Sequence, residues 1–279
     1  MKPYAAEGSK RDQVEHMFDR ISPKYDLLNR FLSLGTDQNW RRKVIRAVGL
    51  EPVDKLLDVA TGTADLAIMG SKVAKHVTGA DISAGMLAHG RTKMAQAGLA
   101  DRIQLVQADA ADLPFPDGTF DAITIAFGVR NFEDLHGGIR GMARVLRPGG
   151  RLFVLEFSKP QLTPFKQLFR FYFHRVMPLI GRMVSKDDAA YAYLPASVDA
   201  FPQGAEFEEI LRNCGLNEVQ SRTLTFGVAT LYQARKCARA RIGRYFRSFT
   251  RCAAQVQRPS SLVSCWSPPW APPMRNAAE

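Results

Sequence analysis

The stretch Lys55-Leu56-Leu57-Asp58-Val59-Ala60-Thr61-Gly62-Thr63-Ala64-Asp65 constrains the fold of this chain more than any other. Leu56, Leu57, Val59 and Ala60 form an apolar run the length of a buried strand, small residues follow as a tight turn, and Asp65-Leu66-Ala67-Ile68-Met69 begins a helix. Strand, tight turn and helix in that order are how a doubly wound α/β sheet offers backbone N–H groups to a ligand at the carboxyl end of its first strand. The turn holds one glycine, Gly62, and does not spell G-x-G-x-x-G. The three glycines that let a pyrophosphate lie against the backbone are absent, which argues against NAD or FAD. S-adenosylmethionine carries no phosphate, and Asp58 suits its sulfonium and amino charges.

The pattern continues along the chain. His76–Ile82 predicts a second strand ending in Asp81, Ser83 caps a helix to about Ala97, and Ile103–Asp109 predicts a third strand that also ends in an acid. Phe120–Phe127 is a fourth strand, 134–147 a helix, Arg147-Pro148-Gly149-Gly150 a turn, and Arg151–Phe157 a fifth strand. Strands alternating with helices at this spacing specify a parallel sheet covered on both faces. Further on, 163–184 predicts a helix with Phe165, Leu168, Phe169, Tyr172 and Val176 on one face, Lys166, Arg170, His174 and Arg175 largely opposite, and a kink at Pro178. Residues 202–214 predict another helix, and 217–226 with 228–235 a β-hairpin around Gly227. Before the sheet, residues 9–48 read as amphipathic helix broken at Ser22-Pro23 and Gly35, either a lid or a packing layer at the sheet edge.

Charge and composition change abruptly near residue 237. From Cys237 onward there are seven arginines, no lysine and one acid, a local charge of +6, which leaves +5 of the total +11 on residues 1–236. The same segment holds three of the four cysteines and five of the sixteen prolines, and Ser267-Pro268-Pro269-Trp270-Ala271-Pro272-Pro273 is neither helix nor central strand. It reads as a disordered basic tail of the kind an out-of-frame read-through gives, or as a basic-aromatic arm for lipid headgroups. With the tail set aside, the charge no longer argues for nucleic acid. No C-x-x-C pair or metal-ligand cluster is visible, and no apolar run is long enough to span a bilayer. The first residues, Met1–Glu7, lack an apolar signal core, which predicts a cytoplasmic location.

Three stretches together carry a resemblance. Tyr25-Asp26-Leu27-Leu28-Asn29-Arg30-Phe31-Leu32-Ser33-Leu34-Gly35-Thr36-Asp37-Gln38-Asn39-Trp40 resembles the N-terminal signature of the UbiE-type menaquinone/ubiquinone-biosynthesis C-methyltransferases. Arg144–Ser158 resembles their second signature nearly throughout, and Phe127-Gly128-Val129-Arg130-Asn131 resembles the segment after their fourth strand. The likeness runs over about 14–236 and stops where the composition changes. Asp37 stands where the usual signature has histidine, Arg147 where it has lysine, and Ala126 where some members have a serine that contacts the cofactor.

The resemblance implies a Rossmann-like class I methyltransferase: a mostly parallel seven-stranded sheet over 49–236, a C-terminal β-hairpin and an N-terminal helical lid over 1–48. It implies S-adenosylmethionine as cofactor, held by Thr63, Asp81, Asp109 and Ala110, beside Asp58 and Gly62 of the first turn. Asp81 lies 19 residues beyond Gly62, the offset at which an acid meets ribose hydroxyls in this architecture. Asp109 suits the adenine amino group. The implied substrate is a polyprenyl quinol methylated on carbon, with demethylmenaquinol preferred to a methoxy-polyprenyl benzoquinol. Arg130 and Asn131 are the candidates at the quinol, Arg130 to stabilise a developing phenolate and Asn131 to orient the ring; the alternative for Arg130 is an ion pair with Asp19 or Asp26. An RNA or protein methyltransferase and a non-catalytic lipid-binding module are the competing classes. With its aromatic and basic faces, 163–184 reads either as core packing with a solvated face or as a helix lying on the bilayer surface, and self-association is left open.

Overall fold

The computed structural model describes residues 2–4, 8–33, 35–176 and 188–238. The expectation for the 237–279 tail, and the kink at Pro178, therefore lie outside the described residues apart from Cys237 and Ala238. Three helices, α1 (Lys10–Ile21), α2 (Tyr25–Leu32) and α3 (Thr36–Val48), precede β1 (Val53–Val59). There follow α4 (Asp65–Gly70), β2 (Ala74–Asp81), α5 (Ala84–Gln96), β3 (Ile103–Gln107), β4 (Phe120–Ala126), α6 (Leu135–Val145) and β5 (Leu146–Phe157). The chain continues through α7 (Phe165–Phe171), a π-helical turn over Tyr172–Val176, α8 (Asp188–Ala200), α9 (Ala205–Asn213), β6 (Leu216–Leu224) and β7 (Ala229–Lys236).

The seven strands form one sheet in the order β3-β2-β1-β4-β5-β7-β6. Strands β1 to β5 are mutually parallel, and β7 runs antiparallel to both β5 and β6. From β1 the chain winds outward to β3, then crosses back to lay β4 on the other side of β1. This reversal opens a crevice at the carboxyl ends of β1 and β4, where ligands bind in open α/β sheets.

Alternation within each central strand divides the core. Leu57, Val59, Ile123, Ile125, Leu152 and Val154 face one layer with α6 and α9, while Leu56, Ala122, Phe153 and Leu155 face Trp40, Val44, Leu66 and Leu87 on the other. Both faces are buried, as parallel sheets require. Ser83 caps α5 as expected, accepting from Met86 N–H at 3.1 Å, and Asp134 caps α6, accepting from Gly137 N–H at 2.8 Å.

Some boundaries differ from the sequence reading. The strand register extends β5 back to Leu146, because Leu146 pairs with Phe120 before Arg147–Gly150 loops out of register and Arg151 rejoins Ala122. Of the helix expected over 163–184, the described residues are α-helical over Phe165–Phe171, none of them buried, and π-helical over Tyr172–Val176; residues 177–184 lie outside the described residues. Helix α8 was not foreseen. Pro195 lies inside it, and an interior proline is a strong signal against helix. Yet Tyr193, Ser197, Val198 and Phe201 are buried at helical spacing around it.

Candidate active site

The β1 turn is held by its own polar side chains. Asp58 is 1% exposed and accepts hydrogen bonds from Thr61 Oγ1 and Thr124 Oγ1, both at 2.7 Å. Burial pushes its carboxyl up to about 6 against the opposing effect of those two hydroxyls. The sequence reading aimed Asp58 at the cofactor's cationic end. Its carboxylate instead has one hydroxyl on each oxygen and supports the turn from beneath, since a β-strand acid directed into the core needs partners there. Ala60, Gly62 and Ala64 all take positive φ (50°, 56° and 66°), as does Phe127 (60°) at the tip of β4. Left-handed backbone at non-glycine residues is costly and gathers at functional sites.

Asp81 joins the tips of β1 and β2. One oxygen accepts from Gly62 N–H at 2.8 Å and the other from Ser83 N–H at 2.9 Å. Burial raises its pKa to about 6, opposed by those same backbone donors. Each carboxylate oxygen keeps a further lone pair for a ligand hydroxyl. Asp81, Gly62, Asp109 and Ala110 line one narrow cleft together with Arg11, Val14, Ile82 and Met86. Arg11 Nε approaches Asp109 at 3.1 Å, and Ala111 N–H donates to the same carboxylate at 2.9 Å. Gly141 of α6 backs this corner: a Cβ there would stand 2.1 Å from the Ala110 carbonyl oxygen.

Thr63 does not line the cleft. Its hydroxyl donates to Asp26 of α2 at 2.6 Å, and Lys93 of α5 donates to Asp26 at 2.7 Å and to Asp65. Burial works to raise the Asp26 pKa, but the hydrogen bonds and charge of Lys93 and Thr63 hold it below the ordinary value. Asp19 of α1 likewise accepts from Ser83 Oγ at 2.6 Å and Gly85 N–H at 2.9 Å. Lys10 donates to the carbonyls of Arg130 (3.2 Å) and Phe132 (2.6 Å). The N-terminal helices are thus tied to the tips of β1, β2 and β4 by polar contacts.

Beside the cleft lies a larger cavity of about 500 Å³, lined mainly by apolar side chains. Phe127 and Phe157 pack at its base with ring centroids 4.5 Å apart and their planes tilted by 34°, and Trp40 packs against both. Trp40 Nε1 donates to Thr225 Oγ1 at 2.8 Å, so α3 pins the turn of the β6–β7 hairpin against the cavity. Phe165, Leu168, Phe169, Tyr172 and Phe226 form the other side, with Phe165 and Phe226 stacked at 4.1 Å. Four residues, Phe18, Tyr25, Phe127 and Asn131, line both spaces. The Tyr25 ring lies 3.8 Å from where a Gly62 Cβ would be.

Arg130 is 8% exposed at the side chain and pairs at 2.8 Å with Glu156 of β5, which is fully buried. Its carboxylate partner is therefore Glu156 and neither Asp19 nor Asp26, whose oxygens are taken by Ser83, Gly85, Thr63 and Lys93. Arg130 also donates to the Phe127 carbonyl and stands 5.5 Å from the Phe157 ring centroid. Burial raises the Glu156 pKa even against the Arg130 charge. Across Phe127, Arg41 of α3 lies 5.6 Å from that ring and 3.5 Å from Asp37. Sequence reasoning missed Glu156, Arg41 and Tyr193. Glu156 sits inside a strand of apolar residues, where a lone acid is the available signal.

The ubiE/COQ5 methyltransferase family model matches residues 6–236. The chain belongs to that family. Among its ubiE/COQ5 relatives is the demethylmenaquinone methyltransferase of Bacteroides fragilis, 47% identical over 85% of this chain and 97% of that protein. Another is the ubiquinone/menaquinone biosynthesis C-methyltransferase UbiE of Geotalea daltonii, 44% identical over 81% and 97%. The crystal structure of an S-adenosylmethionine-dependent methyltransferase from Thermotoga maritima superposes with a TM-score of 0.56 at 16% identity, covering 80% of this chain and 99% of that one; this likeness concerns the fold. The family match ends at Lys236, the last residue of β7.

Proposed function

We propose that the protein transfers a methyl group from S-adenosylmethionine to a ring carbon of a polyprenyl quinol, demethylmenaquinol being the preferred substrate. One observation carries the reading: an acid-lined cleft at the strand tips and a large apolar cavity share Phe18, Tyr25, Phe127 and Asn131. A methyl donor on one side and a flat hydrocarbon ring on the other would meet at those four residues. The names of the relatives, which specify demethylmenaquinone in the 47% match, favour a naphthoquinol; the broader UbiE name keeps the benzoquinol as the alternative.

The residues present fit the cofactor. Asp81 has spare acceptor capacity for two ribose hydroxyls, Asp109 and Ala110 stand at the adenine end, and no glycine-rich phosphate cradle is built. When bound, S-adenosylmethionine supplies an electrophilic methyl on a sulfonium leaving group. Thr63 would act through Asp26 and Asp58 through Thr61 and Thr124, each fixing the turn. The polar ties from Lys10, Arg11, Asp19 and Asp26 would make residues 1–48 a lid that closes when these contacts form.

Ring carbon is a weak nucleophile, and ionising the adjacent phenol places charge on it. A phenol of pKa near 10 needs cationic or donor support to ionise at neutral pH. Arg130 stays protonated and would stabilise the phenolate, while Asn131 would orient the ring. The ring carbon gains the methyl, the C–S electrons stay on sulfur, and one ring proton leaves to water. Holding both partners in line can supply about 7–11 kcal/mol.

The polyprenyl tail would leave past Leu168 and Phe226 towards Leu162 and Phe171, all four more than 60% exposed and accompanied by Lys166 and Arg170. No helix among the described residues is long and apolar enough to cross a membrane, so contact would be with the bilayer surface. A methyl-transfer assay with labelled S-adenosylmethionine, offering demethylmenaquinol and the methoxy-benzoquinol separately, tests the reaction. Absence of label in either product would overturn it. Flotation of the 1–236 chain with anionic liposomes, compared with Leu168→Ser/Phe171→Ser, tests the surface.

A further inference from the structure

Among the described residues four buried side-chain atoms have no hydrogen-bond partner: Arg130 Nε, Asn131 Oδ1, Tyr193 Oη and Arg41 Nε, the last of which faces Asp37 in an ion pair at 3.5 Å. All four residues line the apolar cavity. Leaving a buried polar atom unmade costs stability, so the three with no partner of any kind around a single space mark where a ligand completes the bonding. These three belong to one corner. Arg130 and Asn131 are neighbours on the turn after β4, and α8 packs on that turn, bringing Tyr193 within the electrostatic reach of Arg130 and Glu156.

Tyr193 is 5% exposed, and its ring packs against Val14 and Met17 of α1. The ring is thus fixed from the far side while the hydroxyl is left over. The three atoms have definite hydrogen-bonding characters: Arg130 Nε–H and Tyr193 O–H donate, and Asn131 Oδ1 accepts. Two donors and one acceptor complement a ring that presents one oxyanion and one hydroxyl. A hydroxyl of ordinary polarity would be solvated or paired; this one is buried without a partner and feels the charges of Arg130 and Glu156, which are already joined to each other.

Resting on the quinol reading above, we infer that Tyr193 is a catalytic residue whose hydroxyl, with Arg130 Nε, donates to the substrate oxygen that becomes the phenolate, while Asn131 Oδ1 accepts from a substrate hydroxyl. Tyr193 gives up no proton; it donates a hydrogen bond that strengthens as negative charge gathers on the oxygen. Burial pushes its own phenol up to about 12, which keeps the donor in place at working pH.

Tyr193→Phe tests this, because it removes only the unpartnered oxygen and keeps the ring against α1. The expected result is a fall in kcat of about a hundredfold, the scale of losing one oxyanion donor, with cofactor affinity unchanged and Tm equal or higher. The fall should shrink as the quinol hydroxyl is made more acidic with electron-withdrawing ring substituents, since such a phenolate needs less support. A kcat within twofold of the parent would overturn the assignment. So would a loss that accompanies a lower Tm and is the same for all quinols, which marks Tyr193 as packing alone. A parent enzyme inert towards every quinol defeats the functional reading itself, and is told apart because Tyr193→Phe is then compared with nothing.

Discussion

The cleft at the strand tips and the apolar cavity beside it are built by different means. The cleft draws its polar groups from the ends of β1, β2 and β3: Asp81 is the last residue of β2, and Gly62 and Asp109 sit three and two residues beyond β1 and β3. The cavity draws on α1, α2, α3, α7, α8, the tips of β4 and β5, and the hairpin turn, elements spread from residue 17 to residue 228. Its polar atoms are few and several are unpartnered, whereas in the cleft the Asp81 carboxylate is engaged by backbone N–H groups on both oxygens. A site built on strand ends is preorganised by the sheet. A site assembled from many helices is preorganised only once the whole layer packs.

That contrast is open to attack, first at the cavity's buried ion pair. Arg130→Ala leaves Glu156 without its cation in a fully buried position, and breaking such a pair costs roughly 3–5 kcal/mol. Denaturant unfolding should show that loss alongside the loss of turnover. The double change Arg130→Met/Glu156→Leu should recover most of the stability and none of the turnover. If it recovers both, Arg130 has no part at the quinol.

In the cleft, Asp81→Ala should weaken cofactor binding about ten- to a hundredfold by calorimetry, the scale of about 1.5–3 kcal/mol for hydrogen bonds to a charged group. Because its folded-state pKa is raised to about 6, the parent should lose affinity as pH falls through 6 and the carboxyl gains a proton. Asp81→Asn should flatten that dependence. An affinity in the parent that is level from pH 5 to 8 would count against the ribose role.

Gly141→Ala probes the cleft from behind, where the new Cβ meets the Ala110 carbonyl at 2.1 Å. Backbone must shift to admit it, at a cost of about 1–3 kcal/mol typical of overpacking, and cofactor affinity should fall while the quinol KM stays level. Asp26→Asn should have the smallest effect, since its partly exposed pair with Lys93 contributes about 1 kcal/mol at most. It should speed cofactor release by a few-fold in stopped-flow, and more so at low salt.

The same contrast explains what could be read from the sequence. Strand ends announce themselves: an apolar run, a break and an acid located Asp81 and Asp109 without knowledge of the fold, and all seven strands follow from the pattern. Arg130 and Asn131 were singled out because they too follow a strand, and both line the cavity. Asp58 was singled out for a charge the cofactor carries, whereas its carboxylate accepts from Thr61 and Thr124, partners that lie on the turn and on a neighbouring strand and that spacing does not reveal. Tyr193 was out of reach. Its helix contains Pro195, and its neighbours in the cavity are Met17, Arg130 and Phe157, which no local pattern connects. The alternative given for Arg130 named acids of the N-terminal helices, whereas its partner is Glu156 of β5, since pairing across a sheet depends on register that spacing does not reveal.

The four side chains common to both spaces, Phe18, Tyr25, Phe127 and Asn131, form a party wall. Neither tenant can be accommodated differently by rebuilding it without disturbing the other. Attempts to broaden the range of accepted rings therefore belong on the hairpin and α7 side. Conversely, an inhibitor made by joining a nucleoside to a flat hydrocarbon would press on that wall from both directions, and any replacement there that excluded it would also cost the enzyme one of its own two ligands.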